Sequence, residues 1–216
     1  MNAAHPFTYD MLAEYRVSRA MPWFTKPWDL NLFIIRSGNV GKWDDWIVFA
    51  FIADDDLKVV RAFPCTGDAW GGEWTNPTNK DGCVYVLDQH VPGGYKIGAH
   101  KGRPALRQNA NYDCVRWPPG MGFAPSIQAL EDHAAAGAKF SGWPGCHLHN
   151  RATMRTPHAP DTDDSEGCTV PLFYFDHSSI MSIADCQLAR HGWDEISPTF
   201  AKLSDVLPDN HPWEMT

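Results

Sequence analysis

The chain has 216 residues, 44% apolar and 20% charged, with a formal net charge of −8. That length suits one large domain, or a domain with a modest extension, built on a substantial core. The acidic balance and scattered Lys and Arg argue against a nucleic-acid footprint, and no apolar run approaches the roughly twenty residues of a spanning helix.

The N-terminus, MNAAHPFTYDMLAEYRVSRAM, lacks a basic start followed by an apolar core. No secretory signal peptide is read there, and synthesis in a host cytoplasm is the expectation. DMLAEYRVSRAM (10–21) predicts a helix ended by Pro22, and residues 1–28 are read as an N-terminal helical extension to a domain over 29–216.

LNLFIIRSG (30–38) and WIVFAFIAD (46–54) are Val-, Ile- and Phe-rich runs separated by the polar turn GNVGKWDD, a hairpin pattern. Further strands are predicted at LKVVRAF (57–63), GCVYVLD (82–88) and YKIGAHKG (95–102). SIQALEDHAAAGAKF (126–140) reads as a helix or a long surface insertion, SSIMSIADCQLARHG (178–192) as a helix with a glycine stop, and ISPTFAKL as a returning strand. The 17 glycines and 17 prolines are spread along the chain, which favours many short strands over a helical bundle. The expected class is mainly β (α+β) with two or three helices.

Six cysteines, at 65, 83, 114, 146, 168 and 186, form no C-x-x-C pair. Neither a zinc ribbon nor a disulfide framework is called for. Cys168 stands out by its surroundings, DTDDSEGCTV (161–170): Gly167 permits a tight backbone approach, Ser165 can bond within the turn, and the apolar TVPLFYF follows. Upstream, GCHLHNR (145–151) places His147 and His149 on one face of an extended segment. An imidazole that takes a thiol proton, oriented by a third group, makes a cysteine a nucleophile. The N–H groups of Gly167 and Cys168 would form an oxyanion hole. The plainer alternative is a buried thiol beside two ordinary strand histidines.

His149, fifteen residues, then Ser165-Glu166-Gly167-Cys168 resembles the motif of the L,D-transpeptidase catalytic domain, a histidine followed in the mid-teens by S/T-H-G-C. FPCTGDAWGGEWTNPTNKDGCVYVL (63–87) and YKIGAHKGRPALRQ (95–108) are similar to segments of phage-encoded relatives, so the resemblance spans about residues 30–200. It implies an L,D-transpeptidase-like β-sandwich or barrel and a cysteine acylated by a peptidoglycan stem peptide at an L-centre to D-alanine bond. Transfer to an amine, or hydrolysis, completes the reaction. It further implies Cys168 as nucleophile, His149 as base with His147 a second candidate, and Asn150 as the orienting backbone carbonyl. His147, Arg151 and His100 are candidate substrate-binding residues, His100 with Lys101 or Arg151 toward a carboxylate.

Two positions depart from the family. Glu166 stands where the motif histidine is usual, and Val170 where an arginine often follows the cysteine. A carboxylate facing Cys168 would oppose its thiolate. A metal set of His147, His149, Cys146 and Cys168 is the competing chemistry, but no Glu stands at H-E-x-x-H spacing and Cys146 faces away from His147 on a strand. No metal or other cofactor is expected. The ten tryptophans are read mainly as packing residues. The expected partners are peptidoglycan stem peptides and, for a virion-associated protein, other virion proteins, with neither nucleic acid nor membrane insertion. A reading from another class is a tail or capsid accessory protein that keeps the fold with weak or lost catalysis, which Glu166 supports.

Overall fold

The computed structural model describes residues 5–69, 71–77, 79–121, 124–150 and 167–207. A first helix, α1 (Tyr9–Ser18), leads into three strands, β1 (Asn31–Arg36), β2 (Asp45–Ile52) and β3 (Lys58–Thr66). After α2 (Gly71–Thr75) come β4 (Cys83–Val86), β5 (Gln89–His90), β6 (Tyr95–His100), β7 (Arg103–Gln108) and β8 (Tyr112–Trp117). Then follow α3 (Ile127–His133), β9 (Lys139–Gly142), β10 (Leu148–His149), β11 (Val170–Pro171) and the long α4 (Tyr174–His191). β12 (Glu195–Ile196), β13 (Pro198–Lys202) and α5 (Leu203–Val206) close the described chain.

The strands form three open sheets, ordered β11-β3-β2-β1-β13-β5, β10-β7-β6-β12 and β4-β8-β9. Mainly β with helices holds. Two corrections apply: among the described residues five helices form rather than two or three, and no closed barrel is seen. The extra helices are α2 and α5, of five and four residues, too short to leave a periodic signal.

β1 and β2 pair antiparallel as the hairpin pattern predicts, Asn31 opposite Ala50. β1 is buried along its whole length because both faces of the large sheet are covered. Alternation divides it: Leu32 and Ile34 join the core shared with Cys65, Leu106, Leu148 and Ile180, while Phe33 and Ile35 pack with Leu12, Tyr15, Trp46 and Val48. Residues 1–28, read as an extension, thus supply in α1 the cover of one sheet face. Thr8 caps α1, its side chain accepting from the Met11 N–H at 3.2 Å. Arg16 of α1 is fully buried, donating to Asn31 Oδ1 at 2.9 Å and to the Leu32 and Ser197 carbonyls at 3.0 and 3.2 Å.

The strand predicted at 95–102 is β6, which ends at His100 and forms a hairpin with β7. β6 and β7 pair from Tyr95–Gln108 to His100–Arg103, across a turn in which Lys101 and Gly102 both have positive φ, 49° and 78°. Within 126–140 the helix ends at His133, and after Gly137 at φ 101° the chain turns into β9. α4 begins earlier than the sequence suggested and stops at Gly192, φ 71°, whose N–H reaches the Leu188 carbonyl at 2.8 Å. His177, Ile180, Met181, Ala184 and Gln187 form its buried stripe.

Candidate active site

Two short strands set the site. β10 lies against β7, with Leu148 opposite Leu106 and His149 opposite Ala105. Leu148 is fully buried in the main core, which contributes about 1.5–3 kcal/mol. A one-residue slip would expose Leu148 and bury histidines instead, so the apolar residue decides the register. His147 and His149 consequently share a face, where both rings meet His100 from the end of β6, with centroids 4.7 and 4.8 Å away.

The segment 167–171 stitches two sheets together. Val170 and Pro171 pair with Thr66 and Cys65 of β3, while Thr169 makes a parallel bridge to Leu148. Cys168 sits at this seam, partly exposed. Its Sγ lies 3.4 Å from the His147 main-chain N, which donates to it, and 3.4 Å from the Gly145 carbonyl oxygen. Gly167 has φ 140°, and a Cβ there would stand 2.8 Å from the Val84 carbonyl oxygen. Only glycine passes at this point, and it delivers Cys168 to the turn.

The two histidines beside Cys168 differ chemically. His147 Nδ1 accepts from the Gln108 main-chain N–H at 3.0 Å, so its proton resides on Nε2. Burial, then the neighbouring His100, His149 and Arg107, lower its pKa to about 4. His149 Nδ1 lies 2.7 Å from the Asn150 carbonyl oxygen. A carbonyl only accepts, so Nδ1 carries the hydrogen and Nε2 is left as the basic nitrogen. Burial first, then Lys101 and Arg107, hold His100 below the usual imidazole range.

The structure therefore brings together Cys168, Gly167, His149, Asn150, His147 and His100. Arg151, Ser165 and Glu166 lie outside the described residues, as does the acidic run 161–164. Among the described residues no cluster of three or more His, Cys, Asp or Glu has a metal-holding arrangement. Sequence reasoning missed Gln108, whose Oε1 accepts from the Gly145 and Cys146 N–H groups at 2.8 and 2.9 Å and shapes the loop under the thiol. A glutamine at a strand end carries no local sign of that role. It also missed a cleft of about 410 Å³ between β7 and α4, lined by Arg103, Pro104, Asn150, Tyr174, His177, Ser178 and Met181 and by none of Cys168, His147, His149 and His100.

No protein-family model, no curated protein and no solved structure matches this chain. Among the described residues no helix is long and apolar enough to cross a membrane.

Proposed function

We propose that the chain is a cysteine-dependent enzyme of L,D-transpeptidase or L,D-peptidase type, phage-encoded and acting on peptidoglycan stem peptides. The observation that carries this reading is the hydrogen bond of His149 Nδ1 with the Asn150 carbonyl at 2.7 Å, on a strand bridged to the residue after Cys168. It is the third-group orientation a thiol–imidazole pair needs. The motif spacing and the similar segments at 63–87 and 95–108 supply the substrate class and an L,D-transpeptidase-like fold.

In this mechanism His149 Nε2 takes the Cys168 proton and the thiolate attacks the carbonyl carbon of the bond preceding D-alanine. The tetrahedral oxyanion is held by the Gly167 and Cys168 N–H groups. Collapse breaks the C–N bond, His149 returns the proton to the departing amine, and a thioester remains. An amine or water then attacks the thioester, giving its proton through His149 to the sulfur and regenerating the thiol.

Incubating the protein with muropeptides and following D-alanine release tests the reading: release is expected, and Cys168→Ala and His149→Ala should abolish it. Absence of release from the unaltered protein would sink it. Glu166 in place of the motif histidine favours a second reading, a virion tail or capsid accessory protein with this fold and little catalysis. Virion association, with other virion proteins as partners, fits either.

A further inference from the structure

The strands beside His149 offer its ring no bulky neighbour. His149 stands opposite Ala105 of β7, and Ala105 stands opposite Gly98 of β6, so the two positions across the sheet from the imidazole hold an alanine and a glycine. Directly paired residues share a face, and a gap is left there. Arg107 covers one part of it, its Cγ and Cδ lying 3.7 and 3.3 Å from where a Cβ on Gly98 would stand. His100, two residues beyond Gly98 and so on the same face of β6, fills the rest. Its ring stacks on His149 with centroids 4.8 Å apart and planes inclined by 29°, and it meets His147 at 4.7 Å and 49°.

Chemistry gives the three rings different parts. His147 Nδ1 is engaged by the Gln108 N–H, and burial keeps that ring neutral. Burial, then the fixed charges of Lys101 and Arg107, keep His100 neutral as well. Two imidazolium ions at stacking distance repel, so a single proton serves the stacked pair. His149 is the ring prepared to take it, with Nδ1–H held by the Asn150 carbonyl. That one hydrogen bond leaves the ring free to tilt about it, and a stacked face removes the freedom. A cation is also attracted to the face of an aromatic ring, so a neutral His100 steadies the imidazolium of His149 as it forms.

We infer that His100 is a positioning residue, a flat neutral platform that holds the His149 ring in place on the β10-β7-β6 face while His149 carries the Cys168 proton. This part is distinct from the carboxylate contact that the sequence suggested for His100. The role rests on the reading of His149 as the base; the stack itself rests on strand register and ring geometry.

The test compares iodoacetamide labelling of Cys168 near neutral pH in the full-length protein and in its His100→Ala and His100→Phe variants. His100→Ala should slow labelling about fivefold. His100→Phe should restore most of the rate, because a benzene face replaces the platform without charge or hydrogen bonds. A His100 that acts by hydrogen bonding or by charge would leave the two variants equally slow. Imidazole nitrogen shifts across a pH series read the stack itself. His149→Phe keeps the ring contact and removes the charge, so the His100 midpoint should rise. Parent-like labelling of His100→Ala, equal slowing in both variants, or an unmoved His100 midpoint overturns the inference. Preferential labelling of Cys168 that ignores His100 overturns it alone, whereas no preference for Cys168 in the unaltered chain overturns the enzyme reading and the positioning role with it.

Discussion

The main-chain N–H of His149 donates to the Thr169 carbonyl oxygen at 3.2 Å, and the Thr169 N–H donates to the His147 carbonyl at 2.9 Å. This reciprocal pair ties the histidine strand to the residue after Cys168. Both bonds are made by the backbone, so they persist when the His149 or Cys168 side chain is replaced. Variants at those positions therefore report on chemistry more than on folding.

Cys168 should be the first of the six cysteines alkylated by iodoacetamide near neutral pH. Cys65, Cys83, Cys114 and Cys146 are buried, and burial pushes the Cys114 thiol up to about 12 and raises Cys65 and Cys146 well above the usual thiol value. The real competition is with partly exposed Cys186. His149→Ala should slow Cys168 labelling about tenfold or more, and His147→Ala far less, because only His149 offers a basic Nε2. Peptide mapping that finds Cys168 and Cys186 equally labelled, or equal effects of the two histidine changes, would remove the dyad.

Gly167→Ala should cost about 2–4 kcal/mol, combining left-handed strain with a clash. The added Cβ would meet the Val84 carbonyl oxygen at 2.8 Å and Val84 Cβ at 3.2 Å. Gly102→Ala is the control: its φ is 78° but its Cβ meets nothing within 4 Å, so about 1 kcal/mol is expected. Urea denaturation of both proteins decides, and equal losses would mean that Val84 does not crowd Gly167.

His147 should stay neutral, protonated on Nε2, until the pH falls to about 4. Its folded pKa lies below the unfolded 6.5, so the unfolded state binds more protons between those values. Its contribution to stability is present above about pH 6.5 and is lost as the pH falls toward 4. Imidazole nitrogen shifts recorded across a pH series check this. A His147 midpoint near 6.5 would contradict the buried, Gln108-bonded geometry.

Asp45 and Asp68 should act in the opposite sense. Both are buried: Asp45 accepts from the Ser37 and Gly67 N–H groups at 2.9 and 2.7 Å, and Asp68 accepts from the Gly41 N–H at 3.1 Å. Burial raises Asp45 to about 7, and burial with the Asp45 charge raises Asp68 well above the usual carboxylate range. The folded state then holds protons that the unfolded state has lost, so this contribution falls as the pH rises from about 3.8 through about 7. Asp68→Asn keeps an acceptor for Gly41 and removes a charge. It should stabilise the protein at pH 8 relative to pH 5, measured as the difference in unfolding free energy from the parent. A difference independent of pH would show that the two carboxylates are not coupled to folding in this way.

Local pattern decided much of the site. The apolar runs at 30–38 and 46–54 are the β1–β2 hairpin, Gly192 stops α4, and alternation around Leu148 places both histidines on one face. Each of these follows from which side of a short segment must leave water. Partners across the chain were not legible. His100 reaches both histidines only because the Lys101–Gly102 turn and the β7–β10 register set it there. The same holds for Gln108 under the thiol loop, for the bond from Arg16 to Ser197 across 181 positions, and for the cleft between β7 and α4. Periodicity tells a residue which way to face, while the residue it then meets depends on strand order and register, which are settled only when the separate cores close on one another.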